Sequence, residues 1–319
     1  MKRAISSSAL PSELRQSVRN QVSSCNFGKI DFSDPSYRSQ WKVRVEVRDG
    51  RVYSYEKRDK PDWCVDRDDR AIDLVRECCD TYLIPDCKLL FNIMDNISTD
   101  YPCFCYYRER EGSSNQLVMP DKNYLDKIDG YDGAQHVPFS EKQLKFFFRG
   151  NMAARCLERR ALLSSLKYLS EGTQHDIRDV QSDYTGFVNG PFVSIPDHAQ
   201  YLFLLNISGN GPWRVSYPFL FKLGSVIVNI KNADRPGIMF FEPLLKDCIT
   251  HIDIPWGKPR EIAYSLDQIY ENFMYNAKRY LQISKESLLV GKSLTRSLAI
   301  DYFSLLLSEY AVSQQSASI

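Results

Sequence analysis

The stretch QYLFLLNISGNGPWRVSYPFLFKLGSVIVNI, residues 200–230, decides how the rest of the chain is read. Tyr201 to Ile207 is a short apolar run bounded by turn residues, the mark of a buried strand. Ser208 to Gly211 is a polar glycine turn. Pro212 opens a helix that Gly224 closes, since proline suits a first helical position and glycine the residue past the end. Ser225 to Ile230 is a second apolar strand. The unit is therefore strand, turn, helix, strand.

Such a unit places its turn and helix N-terminus at the carboxyl edge of a parallel sheet, where free backbone N–H groups and the helix dipole favour an anion. Arg214, in the first turn, adds a planar fork of donors suited to phosphate. An ordinary crossover with a solvated arginine fits the same residues. Working outward, Lys145 to Phe148 forms a short strand that runs into Arg149-Gly150 and a helix over 153–169 carrying Arg155, Arg159 and Arg160. Two junctions of this kind in one chain favour an anion cleft.

Residues 87–94 read as another buried strand, with Asp95 just past its end. A carboxylate at the carboxyl end of a strand is placed for catalysis in α/β enzymes, and equally for an Asx turn. Residues 41–47 alternate cleanly and turn at Asp49-Gly50 into 51–55, a hairpin. A helix is expected over 69–82, a strand over 249–254, and helices over 266–281 and 293–311. Residues 1–40 read as an extended or partly helical lead-in, and 108–140 as a loop region with short elements.

Composition bounds the function. The 319 residues suffice for two domains, and 43% hydrophobic with 25% charged residues is a globular balance. A net charge of +1 leaves no electrostatic footprint for nucleic acid. The nine cysteines are an odd number without framework or zinc spacing, so reduced core thiols are expected. Asp66-Arg67-Asp68 reads as an exposed charged run rather than a metal site. No apolar run reaches the roughly 18 residues of a membrane span, and the N-terminus lacks a signal-type apolar region. A non-secreted protein of the cytoplasm, or a virus-encoded one of host cytoplasm, is expected.

Three ordered blocks resemble the Rumi and capsule-associated-protein glycosyltransferases, glycosyltransferase family 90. Phe147-Phe148-Arg149-Gly150 with Glu158-Arg159 is similar to that family's (Y/F)FRG…ER segment. Tyr201 to Asn206, Trp213-Arg214 and Gly224-Ser225 resemble YKYLFN…(F/W)R…GS. Residues 240–246 with His251 to Pro255 resemble FFYPLLKPWVHYIPV.

The resemblance implies an α/β, GT-B architecture: two facing Rossmann-like domains with a C-terminal helix crossing back. It places an acceptor-side domain over 1–140, a UDP-sugar-binding domain over 141–290, and the returning helix and tail over 291–319. It implies inverting, metal-independent transfer from a UDP-sugar, with no cofactor, to a glycan or glycoprotein acceptor. The sugar expected is xylose, then glucose. Asp95, in the setting Phe91 to Asn96, is expected as the general base. Arg149, Gly150, Arg159, Gly209, Asn210, Gly211, Trp213, Arg214, Gly224 and Ser225 are expected to bind the donor, with Glu242 accepting from ribose hydroxyls. The alternative is a non-catalytic nucleotide- or glycan-binding member of the same fold.

Overall fold

The computed structural model describes residues 2, 3, 5, 10–27, 43–56, 62–93, 101–109, 114–131, 137–151, 157–180, 190–209, 211, 214 and 216–317. In chain order the elements are α1 (Ser12–Ser23), β1 (Val43–Arg48), β2 (Arg51–Glu56), α2 (Asp62–Thr81), β3 (Cys87–Phe91), β4 (Cys103–Cys105), β5 (Gln116–Val118) and α3 (Lys122–Ile128). They continue with β6 (Gln143–Gly150), α4 (Leu157–Ser165), β7 (His175–Asp179), β8 (Tyr201–Ile207), α5 (Tyr217–Leu220) and β9 (Val226–Lys231). The last are β10 (Ile252–Pro255), α6 (Pro259–Tyr275), α7 (Ala277–Ser293) and α8 (Arg296–Ser316). The chain is α/β and divides into two compact units: 1–127 with 237–244 and 295–319, and 128–236 with 245–294. Among the described residues, no helix is long and apolar enough to cross a membrane.

The first unit holds a mixed five-stranded sheet in the order β2-β1-β3-β4-β5, antiparallel between β2, β1 and β3 and parallel from β3 to β5. Asp49 and Gly50 make the β1–β2 turn at φ 50° and 63°, the left-handed pair that a two-residue hairpin needs. The outer edge of β5 is closed by side chains. Gln21 of α1 accepts from Val118 N–H at 2.7 Å, and the Tyr302 hydroxyl of α8 donates to Val118 C=O at 3.0 Å. Gln21 also donates to that hydroxyl at 3.0 Å, so two helix side chains stand where a further strand would pair.

Several expectations change here. The lead-in contains α1, whose Leu14, Val18 and Val22 are buried, so it is part of the core. The short elements expected within 108–140 are β5 and α3. The helix expected over 69–82 begins at Asp62 and takes in Asp66-Arg67-Asp68; Asp68 is 0% exposed, not part of a solvated run.

The second unit holds five parallel strands in the order β10-β9-β8-β6-β7. Counted within the unit this is the doubly wound order 2-1-3-4-5. Its connections leave β6 for β7 on one side and return to β8 on the other, so the topological switch point lies between β6 and β8. One sheet face packs Phe146, Phe148, Phe203, Leu205 and Val228 against Leu162 of α4, Ile262 and Leu266 of α6, and Tyr280 and Ile283 of α7. The helix after β8 is shorter than its sequence suggests: α5 starts at Tyr217, and a 3-10 turn over Phe221–Leu223 leads to Gly224 at φ 60°. Pro212 lies outside the described residues. The helix expected over 266–281 is two helices, broken at Asn276.

Candidate functional site

The carboxyl ends of β6 and β8 separate at the switch point, and two arginines bridge them. Arg214 donates from Nη1 to Leu205 C=O at 2.9 Å and from Nη2 to Arg149 C=O at 3.3 Å. Arg159, in the first turns of α4, donates from Nε to Ser208 C=O at 3.0 Å and from Nη1 to Asn151 C=O at 2.7 Å. Each arginine thus ties the end of β6 to the end of β8 through backbone carbonyls.

Both guanidinium groups also lie over Phe148. Arg214 Cζ is 4.8 Å and Arg159 Cζ 5.7 Å from the ring centre. A negative ring face beside two cations is a favourable platform. Gly150 is glycine because the same ring occupies the space its side chain would need: a Cβ there would stand 2.7 Å from Phe148 Cζ and 3.3 Å from Arg159 Nη1.

Two like charges over one ring oppose each other. No ion pair among the described residues includes Arg214. Burial and then the charge of Arg159 push the Arg214 guanidinium down to about 9, although it stays protonated at neutral pH. A cation held out of water with carbonyl partners and no carboxylate is an unbalanced arrangement that an anion would relieve.

Arg149, by contrast, is committed. Its side chain is 6% exposed and pairs Nη2 with Asp176 Oδ2 at 2.8 Å, while Nη1 donates to Asp176 C=O at 2.8 Å. Asp176 also holds Arg178 at 2.7 Å, and Arg149 with Arg178 keeps its carboxyl below the usual range against the effect of burial. Strand alternation explains the split: Phe147 and Arg149 share one face of β6, Phe148 and Gly150 the other. Its contribution to the bridge is its carbonyl. His198 packs edge-on to Phe147 on that face, and burial, then Arg214, pushes its imidazole down to about 4.

The other sequence candidates scatter. Gly209 and Gly211 lie in the turn after β8, near the arginines in the chain. Gly224 and Ser225 stand before β9, at the amino edge, where Gly224 C=O accepts from Ser284 and Ser225 Oγ donates to Tyr201 C=O at 2.7 Å. They serve the fold there and are not brought to the arginines. Glu242 belongs to the first unit, and its Oε1 accepts from Met239 N–H at 3.1 Å. Asp95, Asn210 and Trp213 lie outside the described residues. Among the described residues no group of three or more His, Cys, Asp or Glu could hold a metal ion.

Sequence reasoning passed over two features of this edge. One is Phe148 as the platform beneath both arginines. The other is a row of polar side chains, Asn206, Asn229 and Asp253, abreast on β8, β9 and β10. Its signal was available: each asparagine is the lone polar residue inside the buried part of its strand.

No family model matches the chain, and no curated protein matches it. Among solved structures it is similar to Anabaena HepE in complex with UDP-glucose, at 10% identity and TM-score 0.38 over 64% of this chain and 56% of that one. It is also similar to a glycosyltransferase from Rickettsia africae, at 8% identity and TM-score 0.41 over 62% and 60%. The pneumococcal O-GlcNAc transferase GtfA in complex with UDP and GlcNAc aligns at 13% identity and TM-score 0.40 over 64% and 41%. The matched part thus spans between 41% and 60% of those chains. At such TM-scores the likeness assigns nothing to the site.

Proposed function

We propose that this chain is a glycosyltransferase that moves a sugar from a UDP-sugar to a hydroxyl of a glycan or protein-linked acceptor. Xylose is the favoured sugar and glucose the next. The observation that carries the reading is the Arg159–Arg214 pair over Phe148 at the switch point, two cations of which Arg214 has no acidic partner among the described residues. Ligands of doubly wound sheets bind at that edge, and a diphosphate supplies the charge the pair lacks. The ordered sequence blocks around Arg149, Arg159 and Arg214 support the same class.

The chemistry follows the inverting course. The acceptor oxygen attacks the anomeric carbon from the face opposite UDP while a general base takes its proton, and the bond to UDP breaks with both electrons leaving on the diphosphate. Asp95 is the base in this reading, by resemblance. The growing negative charge on the leaving group is met by the guanidinium groups of Arg159 and Arg214, without a metal ion. Arg149 holds the carbonyl to which Arg214 is tied.

UDP release from a panel of UDP-sugars, measured with EDTA present, tests this. Release by the wild-type chain and its loss in Arg214→Leu and Asp95→Asn are expected. An Asp95→Asn protein as active as wild type would remove Asp95 from the role, and loss of all activity with EDTA would end the metal-free reading. UDP binding with no transfer to any acceptor would leave a binding protein instead.

A further inference from the structure

The polar row across the second sheet has a direction. Asn229 donates from Nδ2 to Asp253 Oδ1 at 2.8 Å, and Asn206 donates from Nδ2 to Asn229 Oδ1 at 2.7 Å. Asp253 sets that order. Its Oδ2 lies 2.8 Å from Lys231 Nζ and its Oδ1 2.9 Å from His251 Nε2, partners that keep it ionised. An ionised carboxylate can only accept, so Asn229 must turn its NH2 towards β10 and its oxygen towards β8. Asn206 must then offer its own NH2 to Asn229. Its Oδ1 is left over at the end of the row.

That oxygen is buried and accepts no hydrogen bond, on a residue only 6% exposed. It belongs to the residue between Leu205 and Ile207 at the carboxyl end of β8. The Leu205 carbonyl is held by Arg214 and the Ser208 carbonyl by Arg159. The unfilled acceptor thus lies next in the chain to the carbonyl that Arg214 holds, on the sheet face that Phe147 and Arg149 share. Buried acceptors are rarely left empty without a purpose, because desolvation is not recovered.

We infer that Asn206 Oδ1 is a subsite for a hydrogen-bond donor, an N–H or O–H, carried by the ligand whose diphosphate the arginines hold. The inference rests on the nucleotide-sugar reading of that edge. The row gives the subsite its selectivity: with Asp253 ionised, Asn206 presents an acceptor and cannot rotate to present its amide, so a ligand offering an acceptor there is refused. The donor group comes from the nucleotide half of the ligand or from a hydroxyl of the transferred sugar.

Calorimetric titration of the full chain with UDP and with UDP-glucose separates these cases. Asn206→Leu keeps similar bulk and removes the acceptor; it is expected to weaken UDP-glucose about tenfold, the size of one good hydrogen bond. If the donor group is on the nucleotide, UDP weakens equally. If it is a sugar hydroxyl, UDP binds both proteins alike. Wild-type affinity of the leucine variant for both ligands would overturn the inference, leaving Asn206 as a packing residue. Should the leucine variant not fold, Asn206→Ala, which also removes the acceptor, supports the same comparison. UDP failing to bind even the wild type would instead overturn the nucleotide reading, and this subsite with it.

Discussion

The Arg214 guanidinium lies 4.8 Å from the centre of the Phe148 ring and donates to the Leu205 and Arg149 carbonyls, so one side chain joins the ends of two neighbouring strands. Its charge is poorly compensated in that position. Arg214→Leu should therefore separate binding from stability. UDP affinity is expected to fall roughly 10- to 100-fold, as charge-assisted hydrogen bonds are lost. Thermal stability is expected to hold or rise, since replacing an uncompensated cation by a similar apolar volume is often neutral or favourable. Calorimetry and a melting curve on the same sample decide it; unchanged UDP affinity would exclude Arg214 from the site.

Two glycines should fail for different reasons. At Gly150 an added Cβ meets the Phe148 ring at 2.7 Å, and at Gly291 it meets the Phe221 carbonyl oxygen at 2.3 Å. A ring can rotate at some cost, whereas the backbone of a packed turn cannot give way. Gly150→Ala is expected to cost about 1–2 kcal/mol and to disturb UDP binding through the displaced ring. Gly291→Ala should cost about 3 kcal/mol as α7 is pushed off the turn, with little direct effect on the ligand. Urea unfolding reads the two, and equal losses would contradict the distinction.

Acid should destabilise the chain in a window that His198 sets. Burial, and then Arg214, holds the folded imidazole down to about 4, against about 6.5 when unfolded. Between those values the unfolded chain binds the extra proton, so stability is complete above pH ~6.5 and falls as pH drops towards 4. The loss from this group is at most about 3 kcal/mol. Asp253, held down to about 2 by His251 and Lys231 against burial, adds a separate loss only below the ordinary carboxylate range. Denaturation midpoints at pH 7, 5.5 and 4.5 should show the slope, and His198→Asn should flatten it. An equally steep profile in that variant would assign the slope elsewhere.

The closed edge of β5 gives a fourth expectation. Gln21→Leu removes the acceptor for Val118 N–H and the donor to Tyr302, leaving a buried backbone donor unmet. A loss of about 1–3 kcal/mol is expected, with faster amide exchange at Val118. Exchange at wild-type rate would show that another group takes over the bond.

The elements that sequence revealed share one property, a local signal strong enough to survive without neighbours. The Asp49-Gly50 turn is one, and the apolar runs of β6, β8 and β9 are others. The elements it missed depend on partners. His175-Asp-Ile-Arg-Asp179 is mostly polar and becomes β7 only by pairing with β6 at a sheet edge. Cys103–Cys105 and Gln116–Val118 are three residues each, too short to show a period. Asn276 interrupts an apolar repeat that otherwise runs on, so one helix was expected where α6 and α7 stand.

The candidate site divides the same way. From sequence alone came the α/β class, a strand-to-helix junction carrying arginine at Arg149 and again at Arg214, and the expectation of an anion at a sheet edge, because residue type and chain order are enough to state them. Which arginine is paired with a carboxylate and which lie over the Phe148 ring was decided only by the tertiary structure. Arg149 and Phe148 are neighbours in sequence but face opposite sides of β6, so one meets Asp176 and the other receives Arg159 and Arg214. The direction of the Asn206–Asn229–Asp253 row likewise depends on three strands standing abreast, a pairing set by sheet order and register rather than by any local pattern.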